Sequence, residues 1–223
     1  MTRRMILPLL FGLVGCAILI GLGTWQLQRL AWKQAILAQI SARLTDTPVA
    51  LPVAPDPVAD KYLPVTAAGR FTGPEITVLT SVREAGAGYR VIAAFQTDDG
   101  RMIMVDRGFL PEDQRAQPRS VSAARITGTL HWPAETDSFT PPPDEGRAIW
   151  FARDVPAMAA VLRTEPVLIV ARADTGDGIT PLPVDTVGIP NNHLNYALTW
   201  FSLAAVWAGM TLLLLWRIRR RTD

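Results

Sequence analysis

The sequence predicts a membrane protein in which two transmembrane α-helices flank a mostly antiparallel, barrel-like α+β domain. Three observations carry this. An apolar run lies near each end, at residues 5–25 and 194–216, and the second contains no Asp, Glu, Lys or Arg. A bilayer core takes about 20 mostly apolar residues in a helix, which both runs supply. Between them lie short stretches rich in β-branched and aromatic residues, punctuated by Gly, Pro and one Asp-Gly turn signal. The expected organisation is a cytoplasmic start at 1–4, a first span at 5–25, an exported β-rich domain at 26–193, a second span at 194–216 and a cytoplasmic tail at 217–223.

Composition supports this division. Hydrophobic residues make up 49% of the 223, and the excess is concentrated at the two ends. The net charge is only +2, which implies no broad basic surface for nucleic acid. Cys16, in the first apolar run, is the sole cysteine, so neither an intramolecular disulfide nor a thiolate metal site can form. The exported domain must hold itself together by packing, and its length allows that.

The first span follows Arg3 and Arg4 and contains Pro8, Gly12, Gly15, Gly21 and Gly23, which membrane helices tolerate. An uncleaved anchor is preferred to a cleaved signal peptide, because no polar region with a small-x-small site follows in position. The stretch Leu13-Val14-Gly15-Cys16 looks like a lipidation box, but apolar residues continue beyond the cysteine. Arg3 and Arg4 before this span, and Arg217, Arg219, Arg220 and Arg221 after the second, place both termini in the cytoplasm. The middle of the chain is then periplasmic, or in the organellar equivalent.

At the exit of the first span Trp25, Arg29 and Trp32 share one helical stripe, with Lys33 beside them. One reading is an aromatic interface belt with a snorkelling arginine. The other is a wall for an anionic ligand at the membrane surface. The helix is expected to run on to about Leu44, ending before Thr47-Pro48.

Residues 45–60, with Pro48, Pro52, Pro55 and Pro57, read as an extended arm. Residues 62–71 read as a strand stopped by Thr72-Gly73-Pro74, and 75–82 as a second strand. Residues 89–97 and 101–107, joined at Asp98-Asp99-Gly100, form the strongest hairpin signal. Further strands are expected at 125–132 and 167–171. One helix is expected at 155–162, with Asp154 as N-cap and Pro156 in the first turn. Residues 136–146, with three consecutive prolines, read as a surface loop.

This domain shows no catalytic constellation: no Ser/His/Asp triad, no phosphate loop, and no carboxylate pair for acid–base work. The expectation is therefore a protein that is not an enzyme. His131 reads as a strand-edge histidine rather than a ligand. The default role for Arg107, at the end of a strand, is a structural salt bridge or carbonyl clamp.

The most suggestive stretch opens the second span. Asn191, Asn192 and His193 form a polar cluster at its non-cytoplasmic mouth, and His193, Tyr196, Ala197 and Trp200 fall on one helical face. An ionisable residue at a membrane mouth is a candidate functional site. Capping or orienting the span is the alternative role for His193.

Four motifs now stand in order: Gly23-x-Trp25-Gln26-x-x-Arg29-x-x-Trp32-Lys33; Gly88-Tyr89-Arg90-Val91; Val105-Asp106-Arg107-Gly108-Phe109-x-Pro111; and Pro190-Asn191-Asn192-His193-x-x-Tyr196-Ala197-x-Thr199-Trp200-Phe201. Together they resemble the Surfeit locus protein 1 family over nearly the whole chain. Asp106 stands where the family often has Asn, and Phe109 where it often has Trp. The resemblance implies a bacterial inner-membrane assembly factor for haem-copper (cytochrome c) oxidase that binds haem a transiently and helps insert it into the catalytic subunit. It implies His193 as the axial ligand of the haem iron. Tyr196 and Trp200 would continue the binding face into the bilayer, with Trp25 also among the binding residues, and propionates would point to the interface, where Arg29 or Lys33 could pair with them. Subunit I of the oxidase and haem a synthase are the implied partners, beside membrane lipid, and an oligomer is left open. The competing expectation is a scaffold that stabilises the oxidase subunit or haem a synthase without touching haem.

Overall fold

The computed structural model describes residues 3–83, 85–120, 122–144, 146–187 and 189–220, leaving aside the side chains at positions 3 and 4. The side chains of Arg3, Arg4 and Arg221, expected to help hold both termini in the cytoplasm, lie outside that description. The chain divides into two compact units, residues 1–39 with 186–223, and residues 40–185.

The first unit is built from α1 (Arg3–Leu44), all but its last five residues, and α3 (His193–Arg220). Both are long and apolar enough to cross a membrane, and only 6% of the apolar window in each is buried. That exposure separates them from the core helices of a soluble protein and fits surfaces made for lipid. The two run antiparallel, because contacts that ascend α1 descend α3. A Cβ added at Gly12 would strike Thr211, one at Gly15 would strike the Trp207 indole, and one at Gly23 would strike the Phe201 ring. Between these levels the Cys16 thiol reaches the Ala204 carbonyl at 3.9 Å. Small residues on one face thus let large side chains of the other helix seat against backbone.

Among the described residues the second unit holds α2 (Val155–Leu162) and seven strands, β1 (Val49–Ala50), β2 (Pro64–Val82), β3 (Gly86–Thr97), β4 (Met102–Pro111), β5 (Ala123–Leu130), β6 (Ile149–Trp150) and β7 (Leu168–Ala171). Strands pair in the order β2-β3-β4-β7-β5, and β5 pairs back onto β2, so five strands close into a barrel. Four pairings are antiparallel, and the parallel β4–β7 pair supplies closure, with the short β1 and β6 lying parallel to β2. Alternation along β3 feeds two cores. Ala93 and Phe95 point into the barrel with Phe71, Ile103, Val105, Ile126 and Ile169. Ile92 and Ala94 face outward, where Val155, Met158, Ala159 and Leu162 of α2 cover them.

The expected stop at Thr72-Gly73-Pro74 is instead a bulge inside one 19-residue strand. The β2–β3 register jumps there from Phe71↔Phe95 to Glu75↔Ala93, so three residues oppose Ala94 alone. Pro74 has no ladder N–H to give, and Gly73 takes a φ of 100°. The Thr72 hydroxyl donates to the Ala94 carbonyl at 3.3 Å, which ties the bulge down. The bend lets one half of β2 pair with β5 and the other with β3, as a closed barrel requires. The hairpin turns at Gly100 as its Asp-Gly signal predicts, with the Gly100 N–H on the Thr97 carbonyl at 2.9 Å. Asp154 caps α2, accepting from the Ala157 N–H at 3.1 Å.

Candidate functional site at the mouth of the second span

His193 is the first residue of α3 and is half-buried. Its Nδ1 lies 2.8 Å from Oε1 of Gln26 on α1. One level away, the Lys33 ammonium donates to the carbonyl of Pro190, the residue of the connecting loop just before the Asn pair. The Tyr196 N–H bonds the Asn192 carbonyl at 3.2 Å, which closes the first turn of α3. Gly23 sits three residues before Gln26 and receives the Phe201 ring. That close approach holds the two helices near enough for a Gln side chain to reach a His. Asn191 Oδ1 is buried without a hydrogen-bond partner among the described residues.

Of the residues expected here, His193 and Lys33 are drawn into contacts across the helix pair. Arg29 lies over the Trp32 ring at 4.6 Å, so the stripe at the exit is held by a cation–π contact. Trp25 is 50% exposed and Tyr196 56% exposed, while Trp200 is half-buried. Trp25, Tyr196 and Trp200 thus contribute aromatic surface and no polar bond to His193. Gln26 was not among the expected site residues. Its signal was available: an amide at the edge of an apolar run, on the same face as Gly23 and Lys33. Apolar grooves of about 340 and 480 Å³ run beside Trp207. They lie roughly 20 Å along the helix from His193, at 1.5 Å per residue, and belong to a different level of the pair.

Chemically, His193 offers one nitrogen bonded to Gln26 and a second, Nε2, with no hydrogen bond among the described residues. A neutral imidazole held by its other nitrogen is a usual axial ligand for haem iron, so the donor fits that group. No cluster of three or more His, Cys, Asp or Glu side chains suited to a bare metal ion occurs among the described residues.

The β-rich unit carries a separate set of buried charges. Asp106 is fully buried and accepts from Arg90 at 2.5 Å, from Arg153 at 3.0 Å and from the Gly108 N–H at 3.1 Å. Arg153 also forks onto Glu135. Burial works to raise the Glu135 carboxyl, but hydrogen bonds and charge from Arg153 outweigh it and hold Glu135 below the usual range. Arg107 is the bulged residue of β4, opposite no partner on β3, and is 1% exposed. It donates to the Thr175 hydroxyl and carbonyl at 2.9 and 2.8 Å, pairs with Asp177 at 2.8 Å and lies over the Phe71 ring. It is thus both the salt bridge and the carbonyl clamp that its sequence position suggests. Gly108 follows at a φ of 118°, and a Cβ there would strike the Thr180 backbone. His131 stands just past β5, its ring 5.4 Å from Tyr62. These groups neutralise one another and tie loops to the barrel, leaving no free acid–base pair among the interactions described.

Comparison with known proteins agrees with the family resemblance. The model of the SURF1 family matches residues 13–205, which takes in His193, Gln26 and the whole β-rich unit. The chain belongs to the SURF1 family. It is 34% identical over 212 residues to a "SURF1-like protein" of Monosiga brevicollis, covering 85% of this chain and 80% of that one. It is 31% identical over 208 residues to "Surfeit locus protein 1" of Rattus norvegicus, covering 83% and 68%. The corresponding protein of Xenopus tropicalis is 32% identical over 212 residues. The SURF1 match takes in most of α1, the whole barrel and the first 13 residues of α3.

Proposed function

We propose that this chain is an assembly factor for haem-copper (cytochrome c) oxidase that binds haem a at the membrane surface and helps insert it into subunit I. The observation that carries the reading is His193, the head residue of a membrane-spanning helix, held through Nδ1 by Gln26 of the other span. Haem a, when bound, would supply an iron that takes up one imidazole nitrogen. His193 would provide that nitrogen, and Tyr196 and Trp200 an aromatic flank. Arg29, Trp25 and Lys33 would stand at the rim, where propionates would compete with Trp32 for Arg29 and with the Pro190 carbonyl for Lys33. One strong ligand suits a carrier that must release its cargo, since a second would slow transfer. Haem a synthase as donor and subunit I as acceptor follow from the same reading. So does residence in the bacterial inner membrane with both termini cytoplasmic and the barrel periplasmic.

The test is the absorption spectrum of the protein purified from membranes of cells that make haem a, beside His193→Ala. An a-type spectrum lost in a variant that still inserts and folds is the expected result. A spectrum that survives the substitution moves the ligand elsewhere. Absence of haem from both favours the scaffold reading, in which the barrel surface holds an oxidase subunit and the Arg107 clamp, not His193, is the sensitive position.

A further inference from the structure

We infer that Gln26 is a positioning residue that selects the tautomer of His193, keeping the proton on Nδ1 and leaving the Nε2 lone pair for a ligand's iron. The inference rests on the haem reading for its purpose but not for its geometry. The Gln26 amide turns its oxygen to the ring, and a carbonyl only accepts, so in this orientation the imidazole nitrogen 2.8 Å from Oε1 carries the proton. A neutral imidazole has one such proton, so Nε2 is then the bare nitrogen. No other hydrogen bond among the described residues engages the ring, so Gln26 alone sets the choice. The bond also joins two helices. His193 begins α3, where a short side chain on a helix end would otherwise turn freely, and Gln26 sits on α1 one turn from the Gly23–Phe201 contact. Gly23 sets the approach, Gln26 sets the ring, and the ring presents one nitrogen.

The arrangement has a cost that points the same way. Isolated neutral histidine favours the proton on Nε2, so holding it on Nδ1 needs a partner. A span that merely needed a polar entry residue would not need a second helix to fix its tautomer. A metal-binding imidazole commonly donates its remote N–H to a carbonyl or carboxylate, which fixes the ring and raises its basicity. Gln26 occupies that position relative to Nε2.

The experiment is nitrogen NMR of full-length protein in detergent, free of haem, labelled at histidine, in alkaline buffer where imidazole is neutral. The chain has two histidines, so the spectrum holds two rings, and His131→Phe assigns them. The expected result is His193 protonated at Nδ1 in the parent, shifted to Nε2 in Gln26→Leu and kept on Nδ1 in Gln26→Glu, whose carboxylate also accepts. His193 protonated at Nε2 in the parent overturns the inference without need of a variant. So does a Gln26→Leu protein with the parent's tautomer. Haem a is then added to each: loss of the amide is expected to weaken binding about 10- to 100-fold, as for other outer-shell partners of metal ligands. Gln26→Glu is expected to retain binding and to lower the reduction potential of the bound haem. If the tautomers behave as expected but no variant, including the parent, takes up haem a, the positioning role stands and the haem reading fails.

Discussion

Asp106 is the residue on which the buried charges of the barrel turn. It is fully buried between Arg90 and Arg153, and its other oxygen holds the Gly108 N–H beside the β4 bulge. Removing one member of a buried ion cluster leaves the rest charged and desolvated, which costs about 3–5 kcal/mol. Asp106→Ala is expected to lower stability by about that much in chemical denaturation of the detergent-solubilised protein. Asp106→Asn, which keeps the shape and the Gly108 bond, should cost less, because Arg153 retains Glu135. A second prediction concerns His131. Burial, helped by the positive charges of Arg153 and Lys61, pushes its imidazole down to about 4. The unfolded chain takes up that proton near 6.5, the folded one only near 4. His131 therefore contributes stability that is present above pH 6.5 and is lost as pH falls toward 4. Discounted for partial exposure, the loss is roughly 1–2 kcal/mol. Glu75 is raised by burial against the pull of Arg119, so its contribution has the opposite sign, present at low pH and lost as pH rises. The His131 contribution is accordingly read as the difference between parent and His131→Phe in melting temperature against pH. Equal slopes between pH 6.5 and 4 would remove the assignment. At this scale the sequence marks which residues matter better than it marks their partners. His193 and Arg107 stand out by type and position, but Gln26 and Asp177 lie 167 and 70 residues away from them, at distances only the folded chain closes.

At the scale of elements, the pairing of α1 with α3 is the feature on which the candidate site depends. Gly12, Gly15 and Gly23 leave room that Thr211, Trp207 and Phe201 fill. The sole cysteine gives a direct test, since its thiol already points at Ala204 of the other helix. Ala204→Cys is expected to cross-link to Cys16 under mild oxidation, and adding Gly15→Leu or Gly23→Leu should cut the yield severalfold. Cross-linking that is indifferent to both would mean the helices do not pack through these glycines. A related expectation is that Gly23→Leu lowers haem a retention while leaving the barrel's melting temperature unchanged, because it separates Gln26 from His193. The elements themselves were largely legible. Helix α1 ends at Leu44 ahead of Thr47-Pro48, and α2 is bounded by the Asp154 cap, because capping and proline chemistry act over a few residues. The bulge of β2 was not, since Thr72-Gly73-Pro74 carries the same local signal whether a strand ends there or bends. Pairing with β3 on one side and β5 on the other decides between the two, and that is tertiary.

At the scale of the whole molecule, closure of the barrel was foreseen as a curled sheet, but the parallel β4–β7 pair was not. That pair joins segments about 60 residues apart through the α2 crossover, and no local pattern encodes it. Orientation is set by simpler physics. Arg217, Arg219 and Arg220 end α3, and the Arg220 guanidinium lies 4.0 Å over the Trp216 ring, an aromatic–cationic pair of the kind that anchors a helix end at a membrane interface. Arginine crosses a bilayer at a cost of several kcal/mol, so three of them beside one helix end are expected to hold that end on the side where the chain is made. On the proposed topology, two spans would return both termini to one side and leave the barrel on the other. The check is a phosphatase reporter that is active only after export. Inserted after Pro142, in the exposed proline loop of the second unit, it should be active. Fused after Asp223, it should be inactive while a cytoplasmic reporter at the same point is active. The reverse pattern would put the barrel in the cytoplasm and His193 at the cytoplasmic mouth, and would overturn the proposed topology. Replacing Arg217, Arg219 and Arg220 together with Glu should raise the fraction of chains with an exported C-terminus. That shift would show that the arginines, rather than the barrel alone, hold the orientation on which access to His193 depends.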